Sequence, residues 1–487
     1  MDFILNGKQQ QVGDCDANLT LLDYLRSDAA LKGTKEGCVS GDCGACTVLL
    51  AAPGQPPRAI NACITPLGSA ANKQVWTVEA LTGDGPLHPV QQALVDCNGS
   101  QCGFCTPGFV MALTALYANS QRCGLQQLDR DSVTDAISGN LCRCTGYRPI
   151  VEAGTKMMQI APAAPTLVQK PVSPQPGSTN SMRPQLSDGE HSFFQPATEA
   201  ELQQLLALYP QAALVAGATD LGLELTQRHR QFAQLISVGA ITSLARFEWQ
   251  DDQLLIGAAL PYTDLESRTH ELSIPLKRLL HRLGSRQIRN QGTIGGNIAN
   301  GSPIADMPPV LLAWDADIEI VDSSGKRSWH PLSSVYLGYR RTIVQPGKYI
   351  ARIRISRAAL ERPHRFYKVS KRFEDDISAV LGAFSLELAG GRLGAVRLAF
   401  GGVAATPVRA TATEALLTGS TLSDALIASA CDTLKNELKP ISDVRASSAY
   451  RSEMAANTLR RALLELGSGI DLEVHHYPVG NEAALYV

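Results

Sequence analysis

The sequence predicts a multidomain α+β protein, and three observations carry that reading. Eight of its twelve cysteines fall into two tight quartets. The residue pattern changes from short apolar strands with glycine turns to helical spacing between those quartets. Two glycine-containing loops then punctuate a longer mixed α/β remainder. A length of 487 residues gives a prior of about three domains.

Residues 1–82 come first. Phe3 to Leu5, Thr47 to Leu50 and Val75 to Val78 read as strands, with a helical stretch near Leu21 to Leu25. Residues 83–161 carry apolar residues at helical spacing in Val90 to Val95, Phe109 to Tyr117, Val133 to Ile137 and Val151 to Ile160. Pro149 suits a first helical turn. Each unit is small for an independent core, so bound metal would act as a staple. Residues 162–187 are rich in Pro, Ser and Thr and lack periodicity, which predicts a semi-extended linker.

Beyond the linker, Glu199 to Leu208 reads as a helix and Ala213 to Ala216 as a strand. Strand-like runs recur at Leu254 to Ile256, Ile318 to Val321, Tyr349 to Ile355, Ala383 to Leu388 and Val396 to Phe400. Helical patterns at Asp424 to Leu438 and Tyr450 to Leu466 follow. The expected division is a domain at 188–365 and an α+β subdomain at 366–487.

A formal net charge of −2 argues against nucleic acid or an anionic membrane as a bulk electrostatic partner. No secretory signal and no apolar run of about 18 residues is read. Cysteines grouped in motifs within a long chain fit a reducing cytoplasm better than a disulfide framework.

The first quartet is Cys38-x4-Cys43-x2-Cys46 with Cys63 downstream. This is the plant-type ferredoxin spacing, and four thiolates hold one 2Fe–2S cluster. Glycines 37, 41 and 44 between them permit positive φ and bring backbone N–H groups close to sulfur. The second quartet pairs Cys102-x2-Cys105 with Cys142-x-Cys144. Its first pair stands at a helix start, where the dipole favours negative charge. Arg143 and Arg148 would place positive charge beside it, or simply face solvent. Zinc is the competing metal, although zinc favours paired C-x2–4-C knuckles. Cys15, Cys97, Cys123 and Cys431 have no motif and read as structural thiols.

The two glycine loops are Leu214 to Leu221 and Thr293 to Asp306. Backbone N–H groups exposed by glycine can cradle a diphosphate. Neither loop is a G-x-G-x-x-G fingerprint, so a Rossmann mode of dinucleotide binding is excluded.

QCGFCTPG at 101–108, GNLCRCTGYRP at 139–149 and GCVSGDCGACTV at 37–48 resemble the iron–sulfur domains of the molybdenum hydroxylases. The resemblance continues past the linker over nearly the whole chain. It implies a β-grasp ferredoxin-like domain and a helical-bundle 2Fe–2S domain. An α/β FAD-binding domain of that family's flavoprotein type, with its α+β C-terminal subdomain, would follow. Cofactors would be two 2Fe–2S clusters and FAD. The resemblance places Leu214, Val215, Ala216, Gly217, Ala218, Thr219, Asp220, Leu221, Thr293, Gly296, Asn297, Asp306, Ile350 and Lys368 at FAD-contacting positions. Leu283 stands where the family's animal enzymes carry a phenylalanine against the flavin, so aromatic stacking would be lost there. Asp220 has a rival role as a helix N-cap and Asp306 as a turn residue. Lys371 to Asp376 matches the loop where a nicotinamide cofactor approaches, with a solvated charged loop as the alternative; Tyr367 would stand near the flavin's exposed face.

No segment resembles the family's molybdopterin-binding domains. The arrangement therefore resembles the iron–sulfur/FAD subunit of multi-subunit members, and implies a larger molybdopterin-binding partner in an (αβ)2 heterotetramer. Electrons released at molybdenum would pass through the second quartet, then the first, to FAD and on to NAD. No catalytic acid, base or nucleophile is expected in this chain. A stand-alone NADH-oxidising flavoprotein and a zinc-stabilised interaction module are the remaining alternatives.

Overall fold

Strand Asp2–Leu5 is wholly buried and apolar after its first residue, and it pairs antiparallel with Lys8–Gln11, a polar strand that periodicity misses. On its other side it pairs parallel with Gln74–Trp76, which joins the hairpin Thr47–Ala51/Arg58–Asn61. Helix Leu21–Arg26 crosses this mixed five-stranded sheet, started by a Thr20/Asp23 capping box. That is the β-grasp arrangement. The computed structural model describes residues 1–81, 85–161, 167, 170 and 182–469. Most of the expected linker and the stretch after 469 lie outside the described residues.

Four helices form the second unit: Pro89–Asp96, Thr106–Arg122, Arg130–Ala136 and Arg148–Lys156. Thr106–Arg122 is the central one, with Phe109, Leu113 and Leu116 each 1 % exposed or less. Leu81 and Trp76 pack into this helical core, so the two small units share a seam.

The third part begins with Leu186–Ser187, which pairs with Ser192–Phe194 in a four-stranded sheet containing two parallel pairings. A five-stranded antiparallel sheet follows, ordered 247–250, 253–257, 348–356, 317–322, 327–331. Between its second and third strands in sequence lie short helices at Tyr262–Glu266, Ile274–His281, Arg286–Gln291, Ile294–Ala299 and Met307–Ala313. Their shortness explains why a helical window misses them. The C-terminal sheet (364–369, 380–389, 392–401, 408–409) packs one face on Met307–Ala313 and the other on helices Asp424–Glu437 and Ser448–Ser468. Among the described residues no helix is long and apolar enough to cross a membrane.

Candidate cofactor sites

Cys38, Cys43 and Cys46 lie on a loop that must turn sharply, with Val39, Gly41 and Gly44 all at positive φ. Backbone N–H groups of Ser40 and Cys43 donate to Cys38 Sγ at 3.4 and 3.3 Å, and Cys38 N–H donates to Cys43 Sγ at 3.4 Å. Such donors favour thiolate over thiol. Cys63 sits in the 3₁₀ turn Ala62–Ile64, just after the hairpin. The sulfurs meet in sequence: Cys43 against Cys38, Cys38 against Cys63, Cys63 against Cys46. In the second unit Cys105 is the N-cap residue of Thr106–Arg122. There Cys102 meets Cys144, and Cys105 meets Cys142. Burial pushes the Cys105 thiol up to about 12. Cys142 Sγ lies 3.1 Å from the Thr145 hydroxyl.

This spread fits a two-iron centre. Four thiolates on one zinc at about 2.3 Å would stand within roughly 4 Å of one another. Among the described residues, the one set of three or more candidate ligands whose donor atoms lie within 4.8 Å is Asp16, Asp188 and His191. Both quartets are more open than a single ion would hold them.

The two units meet at glycine. A Cβ on Gly44 would come 2.2 Å from the Gly139 carbonyl, so no larger residue fits. Cys102 and Cys144 are exposed, beside exposed Phe104 and Leu141; Arg143 and Arg148 are also exposed.

The glycine loops are brought together. A Cβ on Gly217 would lie 1.9 Å from the Gln291 carbonyl, which forces the 214–221 loop onto the residues just before Thr293. Leu214 and Val215 end strand Ala213–Val215; Ala216 to Asp220 turn; Leu221 starts helix Leu221–Thr226. Ala218 takes positive φ. Asp220 stands at the N-cap, but its side chain makes no cap bond; its carboxylate instead accepts from Arg340 at 3.3 Å. Thr293 caps helix Ile294–Ala299 through Gly296 N–H at 3.1 Å.

Gly296 is exposed, and a Cβ there would meet only Thr293 Oγ1, at 3.0 Å. Asn297 Oδ1 is buried with no partner among the described residues. The open backbone at Gly296 fits a bound diphosphate, and the unsatisfied Asn297 acceptor fits a donor such as a nucleotide's sugar hydroxyl. Leu283 and Ile350 line one core with Ile294 and Ile298. Asp306 and Lys368 form a buried ion pair at 2.6 Å, and Ser378 bonds both; Asp306 caps nothing. Tyr367 packs toward the C-terminal core, under Arg461 at 4.8 Å. Loop 371–376 is anchored where Arg282 covers Phe373 at 4.7 Å and donates to its carbonyl. Asp375 is half-buried there, and desolvation with Asp42 nearby lifts its carboxyl to about 7.

Helix Arg286–Gln291, which sequence reading missed, touches all three units. Arg286 and Arg289, each 2 % exposed or less, bind Asp135 of the helical unit. Arg286 also reaches Glu266 at 2.7 Å. Gln287 donates to Asn140 and Thr47, Asn290 to the Ala59 carbonyl, and Gln291 to Thr65. Two arginines three apart behind the N-cap Ser285 were the available signal.

Two iron–sulfur modules packed on a flavoprotein define the class: an electron-transfer oxidoreductase. The chain matches the 2Fe-2S iron-sulfur cluster binding domain over 3–67 and the 2Fe-2S binding domain over 77–155. It matches the FAD binding domain in molybdopterin dehydrogenase over 188–357 and the CO dehydrogenase flavoprotein C-terminal domain over 365–466. Xanthine dehydrogenase of Drosophila subobscura is 32 % identical over 96 % of this chain and 39 % of that protein. Xanthine dehydrogenase/oxidase of Mus musculus is 30 % identical over 90 % and 36 %. A solved carbon monoxide dehydrogenase from Hydrogenophaga pseudoflava is 27 % identical, with TM-score 0.54, covering 56 % of this chain and 96 % of its own. Quinoline 2-oxidoreductase from Pseudomonas putida 86 shares the fold at 24 % identity and TM-score 0.53, over 57 % of this chain and 97 % of its own. The chain belongs to the molybdenum hydroxylase family, of which it carries the 2Fe–2S and FAD modules. It spans about two fifths of the curated relatives it matches.

Proposed function

We propose that this chain is the iron–sulfur and FAD subunit of a xanthine dehydrogenase of the bacterial, multi-subunit kind. It would serve the oxidation of hypoxanthine and xanthine to urate in purine catabolism. The order of the four matched modules, together with relatives named xanthine dehydrogenase, carries the reading. A larger molybdopterin-binding subunit is the partner, in an (αβ)2 assembly, with NAD+ as acceptor in the cytoplasm.

When bound, two 2Fe–2S clusters supply one-electron carriage and FAD couples it to hydride exchange with NAD. The chain's own residues do the positioning. Cys38, Cys43, Cys46 and Cys63 hold one cluster, and Cys102, Cys105, Cys142 and Cys144 hold the other. The N–H groups of Ser40 and Cys43 stabilise sulfur charge at Cys38. Residues 214–221, Thr293, Gly296 and Asn297 seat the nucleotide, and Leu283 with Ile350 offers an aliphatic surface to the ring. Asp306 and Lys368 neutralise each other beside it. Helix Arg286–Gln291 sets the spacing among the three units.

The test is isolation of the native complex followed by anaerobic xanthine. Co-purification with a larger molybdopterin chain and urate formation coupled to NAD+ reduction supports the proposal. The likeness to carbon monoxide dehydrogenase favours one alternative, the same role in another molybdenum hydroxylase. Turnover with an aldehyde or an N-heterocycle but not xanthine would select it. A chain that runs alone and oxidises NADH would be a stand-alone flavoprotein.

A further inference from the structure

Tyr262 and Tyr336 had no part in the sequence reading, yet both reach the FAD cradle. Tyr262 opens a short helix and its N–H donates to the Gly292 carbonyl at 2.9 Å, while Pro261 bridges Thr293. A Cβ on Gly292 would lie 3.4 Å from Tyr262 Cδ2 and 3.5 Å from Thr219 Oγ1. The Tyr262 ring therefore stands where the two glycine loops join. Tyr336 comes from strand Tyr336–Gly338, whose hairpin continues to Arg340. Arg340 bonds Asp220, and its Cα would lie 3.2 Å from a Cβ on Gly301. That hairpin therefore touches both glycine loops. Tyr262 shares one core with Ile294 and Ile298 of the second loop, and Tyr336 packs against that same core.

Both tyrosine hydroxyls are buried and neither has a hydrogen-bond partner among the described residues; Asn297 Oδ1 nearby shares that state. Native folds rarely leave a buried hydroxyl unsatisfied. Unsatisfied polar atoms gathered around one cradle point to a common polar partner. A hydroxyl both donates and accepts, which suits a chain of sugar hydroxyls and phosphate oxygens. We propose that the Tyr262 and Tyr336 hydroxyls are further binding contacts of this chain to FAD, beyond those of the glycine loops. This rests on the reading of the cradle as the FAD site.

The experiment titrates FAD into the flavin-stripped full chain for wild type, Tyr262→Phe and Tyr336→Phe, and melts each stripped protein. Each variant should bind FAD about five- to tenfold more weakly, roughly one kcal/mol by the affinity relation. Each stripped variant should melt no lower than wild type, because an unsatisfied hydroxyl has gone. Unchanged affinity in both variants, with wild type binding normally, overturns the inference. Weaker binding matched by an equal loss of melting temperature in the stripped form also overturns it, as a structural effect. Wild type that takes up no FAD overturns the underlying reading as well.

Discussion

Gln287 Nε2 donates to Asn140 Oδ1 at 2.8 Å, while Asn140 Nδ2 donates to the Gly44 carbonyl at 2.9 Å. One side chain from the flavoprotein thus holds the residue two before Cys142 and, through it, the residue two before Cys46. All three side chains or backbones are buried or nearly so. Gln287→Leu should cost about 1–3 kcal/mol by leaving Asn140 underbonded. It should slow electron passage between flavin and clusters with iron and FAD content unchanged. Rapid-freeze EPR against a denaturation curve separates the two effects.

Asp135 is the sole carboxylate that the helical unit contributes to the Arg286, Arg289 and Glu266 cluster among the described residues. Burial alone would raise its pKa, but the Arg286 and Arg289 charges hold it well below the ordinary 3.8. Its folded value is depressed, so its stabilisation is present above the unfolded pKa and is lost as pH falls through the folded one. Asp135→Asn leaves two buried guanidiniums without that charge and should destabilise by about 3–5 kcal/mol at neutral pH. The deficit should shrink in strong acid, as measured by chemical denaturation across pH.

Gly296→Val should lower FAD occupancy severalfold with little loss of melting temperature. A Cβ there meets only Thr293 Oγ1, on an exposed stretch of backbone. Flavin absorbance per chain checks this; full retention would free that loop of its role.

Cys142→Ser should remove one of two EPR signals and about half of roughly four irons per chain, with FAD still bound. Retention of both signals would reassign the ligand.

The cysteine motifs and the long elements were legible because each depends on local spacing. Cys38-x4-Cys43-x2-Cys46 is itself a loop, and Phe109, Leu113 and Leu116 mark a helix within one window. The glycine loops were legible as loops, but nothing local says that Gly217 must meet Gln291, since that contact spans 74 positions. Helix Arg286–Gln291 was missed because its arginines are buried by partners far away in sequence, Asp135 above all. Asp220 looked like a cap by position, and only the fold brings Arg340 to it. Tyr262 and Tyr336 carry no motif, and only the fold shows that their buried hydroxyls have no hydrogen-bond partner among the described residues.

The most direct test of the account is anaerobic NADH added to the purified chain, followed by visible absorbance and low-temperature EPR. The account predicts flavin bleaching together with two distinct 2Fe–2S signals. A fully loaded protein whose flavin bleaches while both clusters stay oxidised would contradict it.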